Sequence, residues 1–275
     1  MQDLPSLYLE LLKNTLIDLQ RFRETDYRPA PKGKKIKWII DPLLGLFQKL
    51  DKRNLTVCEK INYNREDRAN GKDWPLFAES MIGYKRLSNV QDCVINVLQN
   101  KIKGDLIETG VWRGGTVIFM RAILKAYEIT DRVVWAADSF EGLPKPNGSK
   151  YVADKDDIFH TYDELRVTME TVQENFRKYG LLDEQVRFLK GWFRDTLPQA
   201  PITSLAILRL DGDMYESTMD SLVHLYPKLS AGGFIIIDDW GSVKGCQMAV
   251  KDYRRQNKIT EEIIPIDSDG VFWKK

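Results

Sequence analysis

Histidine and cysteine are scarce in this chain: 275 residues hold two of the first and three of the second. His160 and His224 stand far apart, and Cys58, Cys93 and Cys246 are scattered without metal-ligand spacing. A zinc centre and a disulfide framework are therefore both excluded. The cysteines read as reduced structural thiols, and the cytoplasm is the expected compartment. An excess of either charge is also missing. Lys+Arg total 41 against 40 Asp+Glu, a net charge of +1, so composition makes no electrostatic case for nucleic acid. No apolar run approaches the length of a membrane span. The start, Met1-Gln2-Asp3-Leu4-Pro5, lacks the basic and apolar regions of a secretory signal. Internal repeats are not evident. What remains is a chain long enough for one large α/β domain with a substantial core of its own.

Periodicity organises it. Residues 6–22 space Leu7, Leu11, Leu12, Leu16 and Leu19 as an amphipathic helix. A Pro/Gly/Lys stretch from Arg28 to Lys35 reads as a connector, followed by a short helix over 38–49 and further helix within 75–101. From residue 104 the pattern becomes regular: strands over 105–109, 132–137, 185–190, 203–210 and 232–237 alternate with helices to about Tyr127, then over 161–179, 216–229 and 243–255. Ile263 to Ile266 and Val271 to Trp273, separated by Asp267-Ser268-Asp269-Gly270, predict a terminal hairpin. Alternation of this kind predicts an α/β fold with a doubly wound, mostly parallel sheet, a C-terminal antiparallel hairpin and an N-terminal helical extension. The polar segment 141–160 is too long for a simple connection and reads as a lid. The expected division is therefore a helical cap over 1–103 and a catalytic domain over 104–275.

Two acidic clusters carry the chemistry. Leu208-Arg209-Leu210 breaks into Asp211-Gly212-Asp213, and Phe234-Ile235-Ile236-Ile237 breaks into Asp238-Asp239. A parallel sheet delivers both to its carboxyl edge, where α/β proteins bind ligands. Four acids converging there repel one another unless a cation joins them. Hard oxygen donors with no Cys or His beside them suit Mg²⁺, Mn²⁺ or Ca²⁺. Arg209, inside a buried strand, needs an acid partner. Capping of the following helix is the plainer role for any single aspartate.

The other half of the expected site follows the first strand, in Glu108-Thr109-Gly110-Val111-Trp112-Arg113-Gly114-Gly115-Thr116. Its glycines permit a tight turn at a helix N-terminus. A dinucleotide fingerprint has glycine where Glu108 stands, and a carboxylate there repels a pyrophosphate, which argues against a nicotinamide oxidoreductase. S-adenosylmethionine, cationic and without phosphate, fits. Asp138, beside Ser139 at the end of the second strand, is placed to accept ribose hydroxyls, and Gly191-Trp192-Phe193 after the third to enclose an adenine.

These segments, with Asp73-Trp74-Pro75, Ala78-Glu79-Ser80-Met81-Ile82-Gly83, Asp138-Ser139-Phe140-Glu141-Gly142-Leu143-Pro144, Lys190-Gly191-Trp192-Phe193 and Tyr215-Glu216-Ser217-Thr218, resemble the macrocin O-methyltransferase family over about residues 73–275. The resemblance implies a Rossmann-like class I methyltransferase that uses S-adenosylmethionine and Mg²⁺ to methylate sugar hydroxyls, commonly as a homodimer. It implies cofactor contacts at Ser80, Met81, Glu108, Gly110, Val111, Trp112, Gly114, Gly115, Thr116, Asp138, Ser139, Gly191, Trp192, Phe193 and Asp211. Asp211, Asp238 and Asp239 are the expected metal ligands and Asp213 the expected general base, with the roles of Asp211 and Asp213 exchangeable. His160, in the lid, is a second candidate for proton transfer. Lys32 to Lys37 matches no family motif. A catechol or another small diol is the alternative acceptor, and a cofactor-binding scaffold without chemistry is disfavoured by four converging acids.

Overall fold

The computed structural model describes residues 3–20, 25–29, 42 and 58–275. The helix expected over 38–49, save residue 42, and the basic segment 32–37 lie outside the described residues. Helix α1 (Leu4–Leu16) opens on Asp3, whose carboxylate accepts the Ser6 N–H, and buries Leu9, Leu12 and Leu16. It stops six residues short of the sequence expectation, Asp18 taking a left-handed backbone (φ 53°) just beyond it. Strands β1 (Thr25–Pro29) and β2 (Cys58–Asn62) form an antiparallel pair that no alternation in the sequence announces. After the short α2 (Arg65–Ala69), helix α3 runs Gly83–Gln99. This helix lies within the expected range 75–101; residues 75–82 before it are loop, and the Ser80 N–H donates to the Leu16 carbonyl of α1.

The chain then alternates: β3 (Asp105–Thr109), α4 (Gly115–Ala126), β4 (Val134–Asp138), α5 (Met169–Lys178), β5 (Val186–Lys190), the single turn α6 (Phe193–Thr196), β6 (Leu205–Leu210), α7 (Tyr215–Leu225), β7 (Leu229–Ile237), α8 (Lys244–Gln256), β8 (Ile264–Pro265) and β9 (Val271–Lys274). The sheet order is β5-β4-β3-β6-β7-β9-β8, parallel through β7 and antiparallel at the β8–β9 hairpin. This is the doubly wound sheet with a terminal hairpin that the alternation predicts. The helix expected over 161–179 begins only at Met169, because the Thr168 hydroxyl caps it by accepting the Thr171 N–H. The residues before it form short 3₁₀ turns.

Period-two alternation decides which residues reach the site. Leu106, Phe234 and Ile236 face the core shared with α1, α3 and α4, whereas Ile107, Ile235 and Ile237 face the core beneath α7 and α8. Glu108 on β3 registers with Arg209 on β6, which registers with Ile236 on β7. The first face thus carries Glu108 and Arg209 to the carboxyl edge of the sheet, with Asp238 two residues past Ile236. α4 fills the space above them and is buried from Gly115 to Leu124.

Candidate active site

Strands β3, β4, β5, β6 and β7 end around one cleft of about 350 Å³. Every residue expected at the site lines it except Gly114 and His160. Gly114 lies directly behind, as the left-handed cap (φ 89°) of α4. His160 stays off the cleft wall, which takes Phe159 in its place, and the His160 Nδ1 is buried without a hydrogen bond among the described residues. The wall also includes Trp74 and Arg86, for which the sequence offered little notice. Trp74 stood within a quoted motif without a role, and Arg86 is one of 41 cations with nothing local to mark it.

Close backbone approach builds the glycine turn. At Gly110 (φ 88°) a Cβ would fall 1.5 Å from the Asp211 carbonyl oxygen, so β3 and β6 close on each other here only through glycine. At Gly115 a Cβ would meet the Ser80 Cβ at 2.5 Å, and the Gly115 N–H donates to the Glu79 carbonyl. Ser80 and Met81 are thereby pinned beside the start of α4. Asp138 accepts the Val111 N–H on one carboxylate oxygen and the Phe140 N–H on the other, both at 2.7 Å. The Ser139 hydroxyl lies 3.4 Å from the second of these oxygens.

The acid cluster is held by two guanidiniums. Fully buried Arg209 donates to Glu108, to Asp211 (2.7 Å) and to Asp238, which supplies the acid partners its buried strand demands. Arg86, at the start of α3, donates to the other oxygen of Asp238 at 2.5 Å. One carboxylate oxygen from each of Asp211, Asp238 and Asp239 lies within 4.8 Å of the others. Asp213 sits in a left-handed turn (φ 57°) that the Met214 N–H closes back to the Gly212 carbonyl, and its own N–H donates to Asp239 at 3.1 Å. A non-glycine residue held in that conformation marks a place where the surroundings override local preference.

Five carboxyl groups thus share two cations. Burial pushes Glu108 up to about 8 while Arg209 pulls it back. Burial, then the Asp238 charge, lifts Asp211 to about 6. Asp213 rises well above the usual carboxylate range through burial and then its neighbours Asp211 and Asp157, and Asp239 does so through burial and then Asp213. Carboxyls crowded in this way favour either protons or a bound cation. The Glu108 Oε2 is buried and makes no hydrogen bond among the described residues.

Segment 141–160 is tied to the same loop. Asp154, buried, accepts the Tyr215 N–H (2.7 Å) and the Glu216 N–H (3.0 Å), so this segment caps the helix that follows Asp213.

A parallel sheet in this order, a glycine turn after its first strand and acids after its fourth and fifth define a Rossmann-like methyltransferase. The chain belongs to the family described as Macrocin-O-methyltransferase (TylF), which matches residues 5–275. It is 53% identical over 278 residues to the 8-demethyl-8-(2,3-dimethoxy-alpha-L-rhamnosyl)-tetracenomycin-C 4'-O-methyltransferase of Streptomyces olivaceus, covering 99% of this chain and 94% of that one. It is also 53% identical over 214 residues to the demethyldecarbamoylnovobiocin O-methyltransferase of Streptomyces niveus, covering 78% and 82%. The solved structure of the O-methyltransferase NovP superposes with a TM-score of 0.82 at 44% identity, covering 98% of this chain and 99% of that one. The chain is accordingly an O-methyltransferase.

Proposed function

We propose that the chain transfers the methyl group of S-adenosylmethionine to a sugar hydroxyl of a glycosylated natural product, with Mg²⁺ held by Asp211, Asp238 and Asp239. The observation that carries this reading is the meeting, in one cleft, of that triad with the Glu108–Asp138 half of the site. Three hard carboxylate oxygens within 4.8 Å, and no sulfur or imidazole among them, suit Mg²⁺. On the donor side, Glu108 offers a buried oxygen without a hydrogen bond to a cationic ligand. Asp138 is placed for ribose hydroxyls, and Trp192 and Phe193 for the adenine. The relatives support the acceptor class, since the Streptomyces olivaceus enzyme is named for a rhamnosyl substrate.

A divalent ion held by Asp211, Asp238 and Asp239 would lower the pKa of an acceptor hydroxyl. Asp213 is the base for the hydroxyl proton. Its carboxyl, raised by burial and by Asp211, is a stronger base than an ordinary aspartate. The hydrogen bond from its N–H to Asp239 keeps it beside the triad. Arg209 holds Glu108, Asp211 and Asp238 as a group. His160 receives no step. Residues 1–103 act as a cap and 141–160 as a lid over the acceptor. The enzyme works in the cytoplasm as a homodimer, a reading supported by the exposed apolar row Leu4, Leu7 and Leu11 on α1.

Substitution separates the roles. Asp213→Asn should lose most turnover and keep Mg²⁺ binding, while Asp211→Asn should lose Mg²⁺ binding. If Asp213→Asn abolishes metal binding and Asp211→Asn leaves it intact, the two roles are exchanged.

A further inference from the structure

Arg86 lines the cleft yet stands outside every motif quoted above, and it touches the acid cluster and the far end of the chain at once. Its Nη1 donates to Asp238 Oδ2 at 2.5 Å, and its Nε to Asp267 Oδ2 at 3.1 Å, in the turn of the β8–β9 hairpin. All three side chains are nearly buried, at 7%, 7% and 9% exposure. The turn is itself built around Asp267, whose Oδ1 accepts the Asp269 N–H (2.9 Å) and the Gly270 N–H (2.7 Å). It closes tightly on the guanidinium stem: a Cβ at Gly270 would lie 2.9 Å from Arg86 Cδ. The same turn is sewn to the acidic loop, because the Gly241 N–H donates to the Asp269 carbonyl.

Arg209 takes Asp238 Oδ1 and Arg86 takes Oδ2, so both oxygens of this carboxylate are fixed in direction. Each keeps one lone pair, aimed by the two donors. Only a planar fork spans two carboxylates in this way, and a lysine ammonium keeps the charge without the span.

We propose that Arg86 is a positioning residue for metal binding: anchored on Asp267, it holds the Asp238 carboxylate in the orientation that ligates the divalent ion. The inference rests on the metal reading given above. Charge and orientation are separable here. Arg86→Lys keeps the buried cation and Arg86→Gln removes a charge that repels the metal, so charge alone predicts unchanged binding in the first and tighter binding in the second. Orientation predicts weaker binding in both.

Titration calorimetry of the full chain with Mg²⁺, alongside S-adenosylhomocysteine as a control on folding, tests it with Arg86→Lys, Arg86→Gln and Asp267→Asn. Arg86→Lys is expected to weaken Mg²⁺ roughly 10- to 100-fold, the range for losing an outer-shell partner of a metal ligand. Asp267→Asn, which keeps the acceptor for the turn but loosens the anchor, is expected to weaken it less, by at least about threefold on the same grounds. S-adenosylhomocysteine affinity should stay unchanged in all three. Mg²⁺ affinity equal to or tighter than the parent's in any variant overturns the proposal. If Arg86→Lys fails to fold, Arg86→Gln decides, because loss of charge alone would tighten Mg²⁺ binding and loss of orientation would weaken it. Absence of Mg²⁺ binding in the parent chain would instead end the metal reading, and this inference with it.

Discussion

Replacing Arg209 by Met removes the cation that buried Glu108 and Asp238 and half-buried Asp211 share, while keeping most of the side-chain volume. Glu108, Asp211 and Asp238 each lose a hydrogen bond from the guanidinium. Removing one partner of a buried pair costs about 3–5 kcal/mol. For a chain somewhat above the size range in which 1 kcal/mol moves the melting temperature by about 2–4 °C, the fall should be about 10 °C. The effect must also depend on pH. A carboxyl whose pKa is raised by folding contributes stability that is present below its unfolded value and lost as pH rises through its folded value. That loss runs through about 6 for Asp211 and about 8 for Glu108 in the parent, with Arg209 in place to offset it. Without the guanidinium both carboxyls rise further, so the loss on going from pH 6 to pH 8 becomes steeper. Thermal unfolding followed by circular dichroism in EDTA at pH 6 and pH 8 measures both effects. A variant that melts within about 2 °C of the parent, or a gap that narrows toward pH 8, would refute the assignment of Arg209 as the shared counter-cation.

Two further outcomes follow from the same geometry. Asp154→Ala removes both acceptors at the start of α7 and should cost about 0.5–2 kcal/mol, the range for a lost N-cap. Amide hydrogen exchange at Tyr215 and Glu216 should quicken, and unchanged protection there would show that segment 141–160 does not brace this helix. Mg²⁺ binding should release protons near neutral pH and tighten from pH 6 to pH 8, because Asp211, Asp213 and Asp239 are all raised and must deprotonate before or as the ion enters. Calorimetry in two buffers of different ionisation enthalpy detects those protons, and identical heats in both would contradict the crowding described here.

Most of the catalytic half was legible in the sequence, because its strands are buried on both faces and read as short apolar runs. Ala206-Ile207-Leu208 and Phe234-Ile235-Ile236-Ile237 leave no other reading, and the acids that follow them land where a parallel sheet must deliver them. The need of buried Arg209 for an acid was legible for the same reason. Elements governed by a competing local bond were misjudged. Residues 161–168 carry helix-compatible side chains, yet the Thr168 cap starts the helix eight residues later than expected. Thr25 to Pro29 gave no alternation to read, since its pairing with Cys58 to Asn62 is set by residues remote in sequence. Arg86 was invisible on the same ground: its partners lie 152 and 181 positions away. Which side chain of the 141–160 segment turns inward was not legible either: Phe159 lines the cleft and His160 does not.

The central claim is that one cleft joins a methyl-donor site to a sugar-hydroxyl site whose acids, Asp211, Asp238 and Asp239, would hold a divalent ion. Transfer of labelled methyl from S-adenosylmethionine to a rhamnoside-bearing acceptor, measured after exhaustive EDTA dialysis and again after Mg²⁺ is restored, tests it most directly. Activity should vanish on dialysis and return with Mg²⁺ in the parent chain, and fail to return in Asp238→Asn. Full methyl transfer in the dialysed enzyme would contradict it.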